Sequence, residues 1–416
     1  MPITEDWSRR TRCQYLEHVT DSADRSESAP LRVLAVGHEA TTTGAPLQLL
    51  GLLRHWSTGQ SVNATLLLRR GGDLLSQFRD CLDVVEMTPT VLRPARKLAY
   101  ACGELKRFEE MRLSHLLRRG HLPERAVVYA NTLTNVHVTS ALARRGFTVV
   151  LHAHELAEAA LQNAELAELR SSARLASAWL ANSRAAALDL AQLAHLDVGQ
   201  ITVVPPYITR STPAPVAGIR GRLSIAPDAR IVMGCGALTY LKGVDVFVEA
   251  AAAMSRELAA EGEQVIFVWV GEGPKRGDLG RWRHAMHNRH LEKSVIFVGP
   301  LADPRELMLE ADLFAFFSRE DGFGLVNLEA ASVGLPIICV RGSGGAPEFV
   351  GKGAGIIAPT HDPRTLAMMM RQLLDDPARR SALGGVGKVL VEEEHAPSAS
   401  AEVVLKVLVD AAARQR

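Results

Sequence analysis

The sequence predicts an α/β protein built from two doubly wound, Rossmann-like parallel-sheet domains. Three observations carry that expectation. Short apolar runs repeatedly end in glycine or polar residues and lead into helical patterns, first at 31–36 and again from Ile231, and alternating strand and helix signals imply a parallel sheet. The 416 residues suit two or three domains rather than one. The pair Pro205-Pro206 separates the two series of strands, and consecutive prolines make a stiff extended crossing rather than a helix.

Composition narrows the function classes. A formal net charge of +1 gives no global case for nucleic acid or a membrane surface. Five cysteines, Cys13, Cys81, Cys102, Cys235 and Cys339, are scattered without Cys-x-x-Cys spacing, which favours a reducing, cytoplasmic compartment and no zinc site. No apolar run approaches a membrane-spanning length. Residues 1–30 are polar and charged without the apolar core of a signal peptide, and read as a disordered or loosely attached tail.

The first domain is expected over residues 31–205. Leu31 to Val36 is a strand, Gly37-His38-Glu39 and Gly44-Ala45-Pro46 form the following loop, and Leu47 to Trp56 has a helical pattern. Further strands are read at Ala64 to Leu68, Ala126 to Ala130, Thr148 to Leu151, Ala176 to Ala181 and Ile201 to Val204. Two of them end in polar residues, Asn131-Thr132 and His152-Ala153-His154-Glu155, as expected if ligands bind at the carboxyl edge of a parallel sheet. In extended chain His152 and His154 share a side, but no further Cys or His follows at metal-ligand spacing. Asn182-Ser183 caps a helix over Arg184 to His195. Between the strands, the basic residues of 93–125, among them Arg93, Arg96, Lys97, Lys106 and Arg107, outnumber the acidic ones. They read first as a solvated helical face, with weak peripheral contact to anionic lipid as the competing reading.

The second domain, residues 206–397, restarts at Ile231 to Gly236, followed by Lys242-Gly243 and a helix over Val244 to Met254. Strands follow at Val265 to Val270, Val295 to Gly299 and Leu313 to Phe317. Then comes the most informative stretch, Ser318 to Val350. The loop Ser318 to Gly324 feeds a helix over Leu325 to Ser332; Gly322 and Gly324 let the backbone approach a ligand, and the unpaired first amides of the helix attract an anion. Asp321 and Glu329, eight residues apart, bracket that site. Gly334-Leu335-Pro336 ends the helix, Ile337 to Val340 is a buried strand, and Gly342-Ser343-Gly344-Gly345 opens a second loop before Glu348. A strand at 355–357, a helix over Arg364 to Leu374 and a last helix over Ser400 to Ala413 complete the chain.

This stretch resembles the signature of family 4 retaining glycosyltransferases, nucleotide-sugar enzymes of the GT-B fold, at Gly322, Phe323, Gly324, Glu329, Ala330, Gly334, Pro336, Gly344, Gly345 and Glu348. It departs at Asp321, where the family usually has Glu, with Glu320 as the alternative acid, and at Ala237, where the family has a phosphate-binding Arg. Arg319 and Arg341 are the candidate substitutes for that cation. The resemblance implies two domains facing a cleft, with residues 398–416 crossing back to the first. It implies that Gly44, Lys242, Gly322, Phe323, Gly324 and Leu325 surround the donor diphosphate, Glu329 the ribose, and the backbone near Phe297 and Val298 the base. His154 and Asp321 would hold the transferred sugar, and Lys242 would stabilise the leaving diphosphate. The expected partners are a nucleotide-sugar donor and an unidentified acceptor, with no cofactor beyond the donor.

No Asp-x-Asp metal motif is present. Two rivals stand beside this reading. A nicotinamide-dependent oxidoreductase lacks its full glycine fingerprint here. A catalytically degenerate nucleotide or sugar binder of the same fold is suggested by Ala237 and Asp321.

Overall fold

Val33, Leu34, Ala35 and Val36 are fully buried in succession, the mark of a strand covered on both faces. In the computed structural model, which describes residues 29–59, 61–161, 164–209, 219–259, 264–273, 275 and 277–414, that run is β1 (Leu31–Gly37). Residues 1–28 of the expected tail lie outside the described residues. The other strands of the first sheet are β2 (Val62–Leu68), β3 (Asp83–Glu86), β4 (Val127–Asn131), β5 (Thr148–Ala153), β6 (Ala178–Ala181) and β7 (Ile201–Val203). They lie in the order β3-β2-β1-β4-β5-β6-β7, every pair parallel.

Alternation sorts the side chains of β1 to its two faces. Leu34 and Val36 pack with Leu113, Val136 and Ala186, whereas Val33 and Ala35 pack with Leu49, Leu53, Val404 and Leu408. The last two belong to the C-terminal helix Pro397–Ala413, which therefore covers the first sheet. Burying each such side chain is worth about 1.5–3 kcal/mol. Near the crossing, the Ser400 hydroxyl donates to the Pro205 carbonyl (2.6 Å) and His395 Nδ1 to the Pro206 carbonyl (2.6 Å), so both passages between the sheets are tied together.

The second sheet contains β8 (Arg230–Cys235), β9 (Val265–Val270), β10 (Val295–Gly299), β11 (Leu313–Phe316), β12 (Ile337–Val340) and β13 (Gly355–Ala358), in the order β10-β9-β8-β11-β12-β13 and again parallel. Strand order reverses between β1 and β4 and between β8 and β11. Ligands of such sheets bind outside the carboxyl ends at that point.

Several elements differ from the sequence reading, three of them for clear physical reasons. β3 is an edge strand of four residues with acidic ends, too short and polar to show a period. The helix Pro377–Glu394 has no counterpart in the sequence reading; it contains Gly384, Gly385 and Gly387, residues unfavourable in a helix interior. A Cβ at Gly384 would stand 1.8 Å from the Gly334 carbonyl oxygen, so close packing requires the glycine that hides the helix. β5 runs on through His152 and Ala153, because His152 pairs with Leu180 and Ala153 with Ala181.

Candidate functional site

The loop after β11 is shaped by glycines with no room for a side chain. Gly324 has φ of 75° as it enters the helix Leu325–Ser332, and a Cβ there would lie 2.6 Å from the Phe316 ring. Gly344 has φ of 101° and comes so close to the Asp321 carbonyl that a Cβ would be 1.7 Å from its oxygen. Asp321 and Gly344 form an isolated parallel bridge, which joins the two glycine loops into one wall. Lys242 reaches this wall from the loop after β8 and pairs with Asp321 Oδ2. Gly243 makes the reach possible, since it has φ of 69° and a Cβ would stand 2.0 Å from the Phe317 carbonyl oxygen.

Glu329 lies 8% exposed on the first turns of the helix. It and Lys242 both act on the Cys235 thiol, which burial above all pushes up, so Glu329, Lys242 and Asp321 share one neighbourhood. Glu320 points elsewhere: its Oε1 accepts from the Ala159 amide (3.0 Å), and burial, with Glu158 beside it, raises its carboxyl. Arg319 is not available to replace the cation absent at Ala237. Its guanidinium holds Asp245 through two bonds (2.8 and 2.7 Å) and lies 3.8 Å over the Tyr240 ring. Arg341 is exposed at the end of β12.

Two aromatic candidates face away from the cleft. The Phe323 ring is buried against Phe349 and His395, where it anchors the loop to the crossing. The Phe297 ring stacks on Trp282, and Arg283 donates to the carbonyls of both Phe297 (3.0 and 2.7 Å) and Val298 (3.3 Å). Any ligand contact at Phe323 or Phe297 is therefore made by backbone.

The first domain meets the wall at the carboxyl ends of β5 and β6. A Cβ on Gly322 would stand 2.0 Å from the His154 carbonyl oxygen, whose other neighbour is the Asn182 amide nitrogen, donating at 3.2 Å. The Ser183 hydroxyl donates to the Gly322 carbonyl (2.6 Å), and Glu348 accepts from the backbone amides of Arg184 (3.0 Å) and Ala185 (2.8 Å). A carboxylate at the first amides of a helix is well placed. Gly44 faces Leu325, whose Cδ1 lies 3.6 Å from a Cβ built on the glycine. Sequence reasoning found Ser183 only as the cap of the helix Arg184–Ala194, which it is, with the Ala186 amide donating to its hydroxyl at 3.0 Å. Its second role, and that of Glu348, depend on contacts between distant segments that no local pattern announces.

His154 and His152 lie ring to ring, centroids 4.1 Å apart, and His152 Nδ1 is hydrogen-bonded to the Tyr129 hydroxyl (2.7 Å). Burial holds His154 down to about 3, with His38 adding to the shift, and holds His152 well below the usual range; His395 is lowered by burial too. These groups fold neutral and charge on unfolding, so the stability they support is complete above about pH 6.5 and is lost as pH falls toward 3. Glu39 and Glu109, both lowered to about 2, add a further loss below the ordinary carboxylate range, whereas the raised Glu320 opposes it. We expect the urea midpoint to fall between pH 7 and pH 5, as the unfolding free energy drops by up to about 1.4 kcal/mol per pH unit for each fully titrating histidine. A midpoint unchanged over that span would contradict the buried neutral histidines.

Among the described residues no three His, Cys, Asp or Glu side chains converge as a metal site, and no helix is long and apolar enough to cross a membrane.

Residues 218–389 match the family described as glycosyl transferases group 1. The D-inositol 3-phosphate glycosyltransferase of Kineococcus radiotolerans is 32% identical over 49% of this chain and 51% of its own length. The GDP-mannose-dependent monoacylated alpha-(1-6)-phosphatidylinositol monomannoside mannosyltransferase of Corynebacterium glutamicum is 31% identical over 45% of this chain and 49% of its own. The chain thus spans about half the length of the curated relatives it matches. Among solved structures, Anabaena HepE in complex with UDP-glucose superposes with a TM-score of 0.73 at 21% identity, covering 91% of this chain and all of its own. WaaG, a glycosyltransferase involved in lipopolysaccharide biosynthesis, gives 0.63 at 16% identity, covering 89% and 99%. At these identities the two structures establish the fold, the GT-B pair of facing parallel sheets. The match to glycosyl transferases group 1 covers the second sheet and the glycine loops it carries, over residues 218–389.

Proposed function

We propose that the protein transfers a glycosyl group from a nucleoside diphosphate sugar to an acceptor hydroxyl, with retention of the anomeric configuration and without a metal ion. The observation that carries this reading is the Lys242–Asp321 pair, set where the glycine wall closes on the His154 segment. As the glycosidic bond to the diphosphate breaks, negative charge builds on the leaving oxygens. Lys242 and the amides at Gly324 and Leu325 answer that charge, and in many enzymes such preorganised donors lower the barrier more than any other single effect. Glu329 accepts from the ribose hydroxyls, and Asp321 and neutral His154 hold the sugar as its ring gains positive character. Asp321, rather than Glu320, takes this role because it is the acid paired with Lys242. The backbone at Phe297 and Val298 meets the base, with Arg283 fixing the carbonyls of that edge.

HepE was solved with UDP-glucose and the mannosyltransferase relative is named for GDP-mannose, so UDP and GDP head the screen, with dTDP and ADP beside them. Selective binding raises apparent stability. We expect one diphosphate to raise the melting temperature in EDTA as well as in magnesium. No response to any of the four would overturn the donor site, and an inverted product anomer by NMR would overturn retention.

A peripheral membrane contact is a second reading, consistent with residence in the cytoplasm. It is favoured by Leu98 and Tyr100, 67% and 71% exposed on the helix Arg93–Ala101 beside Arg93 and Lys97. Vesicle co-sedimentation that does not depend on anionic lipid would remove it.

A further inference from the structure

Past the carboxyl end of β2, in the first domain, lies a group of arginines that the donor chemistry does not use. Arg69 is buried and bidentate on Glu109 (3.1 and 3.2 Å), with its remaining nitrogen on the Thr134 carbonyl (2.6 Å). Arg96 approaches the same carboxylate from the helix Arg93–Ala101, 3.6 Å away, yet its buried Nε makes no hydrogen bond. His137 Nε2 takes a further position on Glu109. Arg70 stands beside them, its side chain 50% exposed, with one nitrogen 2.6 Å from Glu39 Oε2. Three guanidiniums thus share two carboxylates. They are near enough that Arg69 and Arg70 both weigh against the charge on Arg96, whose largest handicap is its burial.

Crowding like charges is unfavourable unless an anion answers them. Both carboxylates present are already engaged, Glu109 by Arg69 and His137, Glu39 by Arg70, His38 and Thr41. The cluster is also continuous with the proposed sugar site. His38 lies 3.6 Å from Glu39 Oε1 on one side and acts on His154 on the other, and its buried Nδ1 makes no hydrogen bond. Packing fixes this junction, because a Cβ on Gly72, after β2, would stand 2.4 Å from the Ala40 carbonyl oxygen after β1.

We propose that Arg70 and Arg96 form an oxyanion subsite for the acceptor, which carries a phosphate or carboxylate held there while its hydroxyl is directed past His38 toward His154. Arg69 is the positioning residue, fixing Glu109 and through it Arg96. This assignment rests on the glycosyl-transfer reading and adds the acceptor's chemical class to it. Guanidinium forks suit such oxyanions geometrically as well as electrostatically.

The test is calorimetry with glucose 6-phosphate, glucuronate and glucose in the Lys242→Ala background, which removes the donor-side cation as a competing anion site. The expected result is binding of the two charged sugars, none of glucose, and at least tenfold weaker binding after Arg96→Gln or Arg70→Gln. Melting curves check folding, and the half-exposed Arg70 serves if the Arg96 variant fails to fold. Phosphatidylglycerol vesicles, tested in parallel, read whether the anion sits on a lipid headgroup or a soluble acceptor; loss of that binding in the same variants supports the lipid source. Equal binding of glucose and glucose 6-phosphate, or charged-sugar binding unchanged in both arginine variants, overturns the proposal. Failure of the underlying reading looks different: the wild-type protein then responds to no nucleoside diphosphate.

Discussion

Replacing Lys242 with alanine will lower the rate of glycosyl transfer by about 10²–10³-fold, the loss typical of removing one preorganised charge-stabilising donor. Among the described residues Lys242 is the cation in contact with the Asp321 carboxylate, and Gly243 holds it there by a backbone conformation that other residues rarely adopt. Arg319 does not compensate, because Asp245 and the Tyr240 ring hold it. The Lys242 side chain is 31% exposed and that of Asp321 14%, so solvent screens much of the pair and the melting temperature should change little. Activity and melting are therefore measured together. A rate within threefold of wild type in a folded variant would remove Lys242 from the transfer step. Glu329→Ala should lower transfer as well, through weaker donor binding where Lys242→Ala acts on the rate.

Much of this was legible in the sequence, and the limits have physical causes. The helix Leu325–Ser332 and the strand Ile337–Val340 are bracketed by Gly324 and by Gly334-Leu335-Pro336, residues whose backbone needs are local, so their ends read to the residue. The same holds for β9, an apolar run buried throughout, while β1 is apolar and buried from Val33 to Gly37 with Arg32 exposed near its start. Local logic fails where a partner is far along the chain. Arg319 looks like a free cation beside the signature loop, and only the fold brings Asp245, 74 residues earlier, to neutralise it. Phe323 looks like a ligand contact because it sits between two glycines, yet its ring is drawn into the core by Phe349 and His395. Glu348, at the end of the glycine loop, reads as a motif position and shows its partners, the amides of Arg184 and Ala185, only across the cleft. Gly384 and Gly387 serve helix packing in the helix Pro377–Glu394, which the sequence reading left out because glycine is a poor helix former.

Gly322→Ala should be as damaging as the loss of Lys242, for a steric rather than an electrostatic reason. The added methyl would meet the His154 carbonyl oxygen at 2.0 Å and the Asn182 amide nitrogen at 2.9 Å. The first of these is backbone and cannot rotate away, so the two sides must separate. Separation breaks the Ser183–Gly322 bond and carries Asp321, the adjoining residue, away from His154. A displacement on the order of 1 Å at a reacting centre costs about 10²-fold in rate, and transfer should fall at least that far. The strain is shared along a loop, so each sheet keeps its own core and the variant should fold, with a stability loss of about 1–3 kcal/mol, as for other overpacked sites. Gly351→Ala is the control, because its Cβ would rest 3.6 Å from Ile357 Cδ1, an ordinary contact, with no His154 or Asn182 atom against it. Small-angle scattering adds a readout that catalysis alone does not: Gly322→Ala should show a larger radius of gyration than wild type while Gly351→Ala does not. Near-normal transfer by Gly322→Ala would mean that the reactive state is more open than the one described, and that His154 and Asp321 need not approach this closely for the sugar to move.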